Sequence, residues 1–402
     1  MKKSIIAIAL AAATILSGCK KETPTYTVTV NIDDSALESN VTKPEVYQVS
    51  LTNTAGAVTY NAESENGVAV FPNMISGIYN IVVTANTVTG ATSYVVSGSE
   101  NTVSVLADYT TTVAVTATKA SSLVFKEIYY CGAPGDGYYF RDQFYEIYNQ
   151  GTETVYADGL CISTLEFANY NFTTMYEYDI PNPENYVFCK TIWQIPGTGT
   201  QYPVKPGESI VIAQWATDHT AASLSAGMSV MNLTGAEFEA IEAESTLWNG
   251  IVITDNPAVN MAKVVESGYA MPQWLTSVSG AAYIIFNPSQ PLKNEDFIAV
   301  TNASSTQLRE VLISDVIDAV QTGADETRAT TLGLPTSLDA GFQHLDGNYL
   351  GKSISRKLAE TREDGVKVYK DTNNTTEDFQ INETPAVRRD GVGVPSWNTW
   401  IK

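Results

Sequence analysis

Histidine is nearly missing from this sequence, whose 402 residues hold only His219 and His344. Two imidazoles so far apart leave nothing from which to build a multi-histidine metal centre or a histidine-based triad. Cations are scarce as well: 23 Lys and Arg stand against 44 Asp and Glu, a formal net charge of −21. A chain this acidic repels phosphate backbones, which argues against nucleic acid as a partner. No paired C-x-x-C, G-x-S-x-G elbow, P-loop or H-E-x-x-H pattern occurs. The apolar run at residues 5–15 is too short to span a bilayer, which takes about 20 residues. Tyrosine, by contrast, occurs 22 times beside abundant Thr, Val, Asn and Ser, the usage of a β-rich exported protein. A hydrophobic fraction of 44% supports a sizeable core, and the length accommodates two domains or three.

Lys2 and Lys3 precede the apolar run, and Leu16-Ser17-Gly18-Cys19 follows it, in the tripartite order of a signal peptide. Its ending resembles the bacterial lipobox, in which small residues fit the signal peptidase and the cysteine thiol takes a diacylglycerol. The resemblance implies that residues 1–18 are removed and that Cys19 becomes the acylated N-terminus, a stable anchor in the membrane. Residues 19–24 read as a short polar tether. Lys20 after the cysteine, where Asp would signal retention, argues against the inner membrane. The Lys-then-acid order weakly resembles surface-export signals of Bacteroidota lipoproteins. The expected location is therefore the outer membrane, lipid-anchored, with display at the cell surface.

Residues 25–119 carry short alternating segments at 26–32, 47–51, 67–71, 79–84, 92–96 and 111–117, the spacing of a β-sandwich. Within them, Gly67-Val68-Ala69-Val70-Phe71-Pro72-Asn73-Met74 followed by Gly77-Ile78-Tyr79-Asn80-Ile81 resembles a hairpin of prealbumin-like or carboxypeptidase-regulatory-like modules. That resemblance implies a spacer with Phe71 and Tyr79 in its core. Asp34-Ser35-Ala36 fits a short O-glycosylation pattern of Bacteroidota exported proteins, and equally a plain loop. Alternation lapses in small polar residues at 117–122, which sets a boundary there.

The clearest hairpin lies at residues 142–163. Phe144, Glu146 and Tyr148 alternate with Tyr145, Ile147 and Asn149 in the two-residue period of a strand. Asn149-Gln150-Gly151 supplies the turn, with glycine free to take positive φ. Phe144, Glu146, Tyr148, Asn149, Gly151, Val155, Gly159 and Ile162 fall where a lamin-tail domain places its second hairpin, with Leu160 in place of the usual Trp. Residues 123–130 resemble that family's opening strand, and Pro206-Gly207-Glu208-Ser209-Ile210-Val211-Ile212 a later one. Residues 294–301 read as the strand that follows, and residues 311–320, with Asp315 and Asp318, resemble the next. Ser353-Ile354-Ser355-Arg356, the turn from Asp371 to Phe379, and Thr384-Pro385 complete the likeness. It implies an Ig-like sandwich over 122–402, enlarged by insertions at about 165–199 and 213–291. The fold class expected is all-β, with two β-sandwich domains. The whole pattern resembles an uncharacterised lipoprotein family of Bacteroidota, some of whose members are encoded beside TonB-dependent receptors.

Few constellations carry chemistry. Asp136, Asp142, Glu146 and Asp158 cluster in sequence and supply the oxygens that calcium prefers, or else form a solvated face. The stretch from Asp371 to Thr375 has calcium-loop spacing but lacks the glycine and the final acid, so an Asx-rich turn is the simpler reading. Forty-four acids guarantee some carboxylate pairs, so a glycan hydrolase cannot be argued from abundance. Once Cys19 is acylated, three cysteines remain, enough for one disulfide and one thiol. Cys161 with Cys189 is the first choice and Cys131 the second, with three buried thiols as the alternative. Eighteen of the 40 aromatic residues lie between Phe125 and Trp193, which directs attention to that span. Tyr170, Phe172, Tyr176, Tyr178, Tyr186 and Trp193 sit among polar residues, and exposed rings of this kind make interface hot spots and sugar platforms. Residues 235–244 read as a short helix-like stretch, and the tail holding Trp397 and Trp400 as a segment that docks on the domain or on a partner. The expected function is a non-enzymatic binding or accessory module, without cofactor, serving a TonB-dependent outer-membrane protein or a glycan. A glycan hydrolase and a purely structural or adhesive protein are the alternatives.

Overall fold

In the computed structural model, the described residues are 24–401 except 55–57, 90–91, 121, 136–138, 166–184, 243, 247–249, 267–270, 293–297, 300–306, 328–333 and 336. Residues 25–119 form two sheets. In one, Thr25–Asp33 lies between Val68–Ile75 and Tyr109–Ala114. The other runs Thr59–Glu63, Gln48–Asn53, Gly77–Thr89, Thr92–Val105 and Thr116–Lys119. Alternation builds the core between them, because every second side chain points inward. Val28, Val30, Leu51, Phe71, Tyr79, Ile81 and Val83 all lie in it, and its members come only from this part of the chain. Thr25 pairs beside Ile75, whereas Lys119 pairs beside Tyr94 at the start of the strand that ends at Val105. The chain thus enters this unit at one end and leaves it at the other.

Beyond residue 122 a seven-stranded sheet runs Val259–Asn260, Phe238–Glu239, Ser209–Ala213, Phe144–Asn149, Leu123–Tyr129, Ser353–Arg356 and Phe379–Asn382. Facing it, Tyr186–Gln194, Cys161–Leu165, Ala282–Phe286 and Val316–Gly323 form the middle of a second sheet. Phe125, Tyr145, Ile147 and Ile212 of the first sheet share one core with Ile162, Trp193, Tyr283 and Val320 of the second. The far face of the second sheet is also covered, with Cys161, Cys189, Ala282, Ile284 and Phe286 packed under Leu334. Burial on both faces explains why Ala282–Phe286 is an unbroken apolar run rather than an alternating one.

One expected feature differs, and the two stretches expected as insertions carry sheet strands. The supposed insertion at 165–199 contributes Tyr186–Gln194, an inner strand held between Cys161–Leu165 and Gln307–Leu312. Residues 235–244, expected to be helix-like, contain the strand Phe238–Glu239 and, among those described, no helix. The insertion at 213–291 likewise supplies sheet strands, Ala282–Phe286 among them.

One buried guanidinium fastens the two large sheets. Arg356 Nη2 donates to both oxygens of Asp318 at 2.8 Å, and Nε to the carbonyl of Phe125 at 2.9 Å. Nη1 donates to the carbonyl of Lys370 and lies 3.2 Å from Asp371 and 3.4 Å from Asp378. Asp318 in turn accepts the Phe125 amide at 2.7 Å. Removing one member of such a cluster strands charge in the core. Arg356→Met is expected to lower unfolding free energy by about 3–5 kcal/mol, measured by chemical denaturation, with Arg356→Met/Asp318→Asn costing less than the sum of the single changes.

Candidate functional site

The outer face of the seven-stranded sheet carries a row of acids. A register shift sets two residues, Lys126 and Glu127, against Glu146. Such a bulge turns both toward one face, so Lys126 Nζ comes within 3.5 Å of Glu146 and 5.6 Å of the Tyr369 ring centre. Glu146 also pairs with Val211, whose amide donates to Glu237 Oε2 at 2.8 Å. Glu127, Glu146 and Glu237 therefore follow one another across the sheet, with Ser209–Ala213 between the last two, all fully buried.

The C-terminal segment covers this row. The Ala386 amide and the Arg389 guanidinium donate to Glu127, the latter through Nε at 2.9 Å and Nη2 at 3.0 Å. The Arg388 amide donates to Glu146 at 3.0 Å, while its guanidinium and the Asn398 side chain both reach Glu237. Arg388 takes a left-handed φ of 55° that lets its amide and side chain serve two different acids. Trp397 Nε1 donates to the Pro203 carbonyl and Trp400 Nε1 to that of Ala236, so the tail docks on its own domain. Burial raises the pKa of Glu146 and Glu237, opposed by Lys126 and Arg388 respectively.

Beside this contact lies a cavity of about 690 Å³. Val211, Leu233, Ala236, Pro257, Val387, Trp400 and Ile401 make its apolar wall, with Asn232, Thr234 and Arg388 as its polar groups. Arg388 Nε is buried there without a hydrogen-bond partner. Gly235 lets the tail approach, since a Cβ there would fall 2.9 Å from Ile401 Cγ1. An apolar wall with a few polar groups, Arg388 among them already paired with Glu237, suits a small, largely apolar molecule. Glu127 and Glu146 face each other, yet both are engaged, Glu127 by Ser353, Ala386 and Arg389, and Glu146 by Ser209, Lys126 and Arg388. Buried and spoken for, they cannot meet a glycan as a hydrolytic pair.

The residues singled out in the sequence fall elsewhere. Tyr170, Phe172, Tyr176 and Tyr178 lie outside the described residues, as do Cys19 and Asp136. Tyr186 is half-buried opposite Leu312. Trp193, expected on an exposed platform, is instead wholly buried, because its strand is interior and packs against the facing sheet. The expected Cys161–Cys189 disulfide is absent, and Cys131, Cys161 and Cys189 are buried thiols. Cys189 pairs with Leu165, four residues along the strand from Cys161. That offset is about 13 Å of strand, beyond the roughly 7 Å that a disulfide bridges.

The acids considered for calcium are held separately. Asp158 accepts the amides of Gly199, Gln201 and Tyr202. Asp142, fully buried, accepts from Tyr129 Oη at 3.0 Å and Ser229 Oγ at 2.6 Å, and burial pushes it up to about 6. Asp378 accepts the Thr372 amide and hydroxyl within the Asx-rich turn. Among the described residues no three His, Cys, Asp or Glu side chains converge to hold a metal. His219 donates from Nε2 to the Trp215 carbonyl and accepts Tyr139 Oη at Nδ1, with burial pushing it down to about 4. Sequence reasoning missed the acidic row and its cover. The only signals were Glu237 and Glu239 at a spacing of two and adjacent Arg388 and Arg389.

A family model described as "Protein of unknown function (DUF4876)" matches residues 205–386. No curated protein matches the chain. A crystal structure of a DUF4876 family protein from Bacteroides thetaiotaomicron is similar at 30% identity and a TM-score of 0.60, over 93% of this chain and 99% of that one.

The matched segment stops just short of Arg388, whose loss leaves Glu237 buried with less compensation. Arg388→Ala is expected to cost about 3 kcal/mol and to speed amide exchange at residues 395–401. Arg389→Ala, at a more exposed residue, should cost less in the same denaturation assay. For Asp142 the folded pKa lies above the unfolded one, so its contribution to stability is full below about pH 4 and lost as pH rises through about 6. Thermal unfolding of Asp142→Asn and wild type between these pH values should show that part of the slope missing in the variant.

Proposed function

The chain belongs to the DUF4876 family of proteins of unknown function, and on that premise we propose that it is a non-enzymatic, lipid-anchored binding module of the outer membrane. Acylated Cys19 holds it, residues 25–119 act as a prealbumin-like spacer, and a lamin-tail-like domain over 122–402 does the recognising. The signal-peptide order of residues 1–19 supports the anchor. The opposite placement of Thr25 and Lys119 supports the spacer, since a chain that enters and leaves at opposite ends separates what it joins.

One observation carries the choice of binding over hydrolysis. The acids of the sheet face are sealed under the C-terminal segment, while the neighbouring cavity offers an apolar wall with Asn232, Thr234 and the Glu237-paired Arg388 as its polar groups. Capture of a small, largely apolar molecule there, together with aromatic contacts from the 165–199 stretch, fits a protein that serves a TonB-dependent transporter or holds a glycan at the cell surface.

Affinity isolation of the full chain from native membranes in mild detergent is expected to bring down an outer-membrane barrel protein. Recovery of the lipoprotein with no barrel in repeated isolations would sink the transporter version. Metabolic palmitate labelling tests the anchor in the same strain: wild type should take the label and Cys19→Ser should not.

A further inference from the structure

Strand ends meet where the chain enters the first unit. Thr25 pairs with Ile75. Gly77 pairs with Val105, which places Leu106 at the same end of the sheet as Ile75 and Ile78. The Thr54 amide donates to the Ile78 carbonyl at 3.0 Å, and the Asn53 amide to that of Val58 at 2.9 Å, which brings Val58 alongside. This end presents large aliphatic groups to solvent: Val58 is 51% exposed, Ile75 43%, Ile78 48% and Leu106 69%. Among the described residues of this end the one ionised side chain is Asp108, whose Oδ1 accepts the Thr27 amide at 2.8 Å. The opposite end also exposes Val46 and Val88 but differs in charge. Asp33, Asp34, Glu38, Glu45, Glu63 and Glu65 gather there with Lys43, at the far ends of the same strands.

We propose that this sparsely charged end rests on the bilayer surface, with Val58, Ile75, Ile78 and Leu106 in the headgroup layer. The inference rests on the reading of Cys19 as the acylated residue. Five residues lie between Cys19 and Thr25, six Cα steps with a reach of at most about 20 Å. A tether that short holds the apolar turns at the membrane whatever direction it takes. The acids at the other end set the orientation, because they are repelled by lipid phosphates while aliphatic groups gain by leaving water. A clustered apolar tip on an otherwise acidic body calls for a cover, and the membrane is the one surface the anchor brings within reach.

Hydrogen exchange on the full chain tests this. The acylated protein would be reconstituted in vesicles of phosphatidylethanolamine and phosphatidylglycerol, and compared with Cys19→Ser in solution. Peptides covering residues 75–79 and 103–109 are expected to exchange several-fold more slowly in the vesicles, with residues 33–47 unchanged. Ile78→Asn/Leu106→Asn should abolish the slowing while the protein still floats with the vesicles. Equal exchange in a protein that is acylated and floats would overturn the inference and leave the anchor standing. Absence of palmitate on Cys19 would overturn the anchor, and the docking with it. Slowing that grows with concentration of Cys19→Ser in solution would assign the tip to a second copy, and so overturn the membrane as its cover.

Discussion

The larger unit depends on a charge that water never sees. Arg356 lies at the seam between two sheets and binds Asp318 of one strand, the carbonyl of another and the turn that holds Asp371 and Asp378. A guanidinium can do this because its donors are fixed in one plane and cannot be discharged by burial. An apolar residue of similar size could fill the space, but it could not dictate which strand meets which. Here the ion cluster fixes the register between elements far apart in the chain.

That cluster also joins segments that stand far apart in the sequence. The stretches around Asp318, Arg356 and the 371–379 turn look like three unrelated signatures when read along the chain, yet they are parts of one contact. The strands were legible because period-two patterns such as Thr25–Asp33 state their own faces. Reading failed where both faces of a strand are buried. Trp193 sits among polar neighbours at the edge of an aromatic stretch, and nothing in those neighbours reveals that its strand has sheet partners on both sides. The cysteines failed likewise, because pairing depends on register, which spacing does not supply.

The acidic row was hidden by a different effect. Composition shows an excess of acids, and the ordinary expectation is that they face water. Three of them, Glu127, Glu146 and Glu237, instead lie across a sheet face and are buried. What makes this tolerable is supplied locally by a bulge at Lys126 and remotely by Arg388, Arg389 and Asn398. Only the first of these could be guessed from nearby sequence, and even that required knowing that two residues would oppose one.

The reach of that remote supply bears on how the molecule can be made. Glu127 opens the larger unit, but the arginine that neutralises it lies 262 residues further along. Until residues 386–398 are in place, the first strands carry carboxylates that must remain in water, so the central sheet cannot close around them. Long loops of this kind make folding slow, because their ends must be brought together before any contact rewards it. The first unit, whose core comes only from its own residues, has no such wait. A chain threaded across a membrane from its N-terminus would therefore keep the larger unit open until almost its full length had crossed.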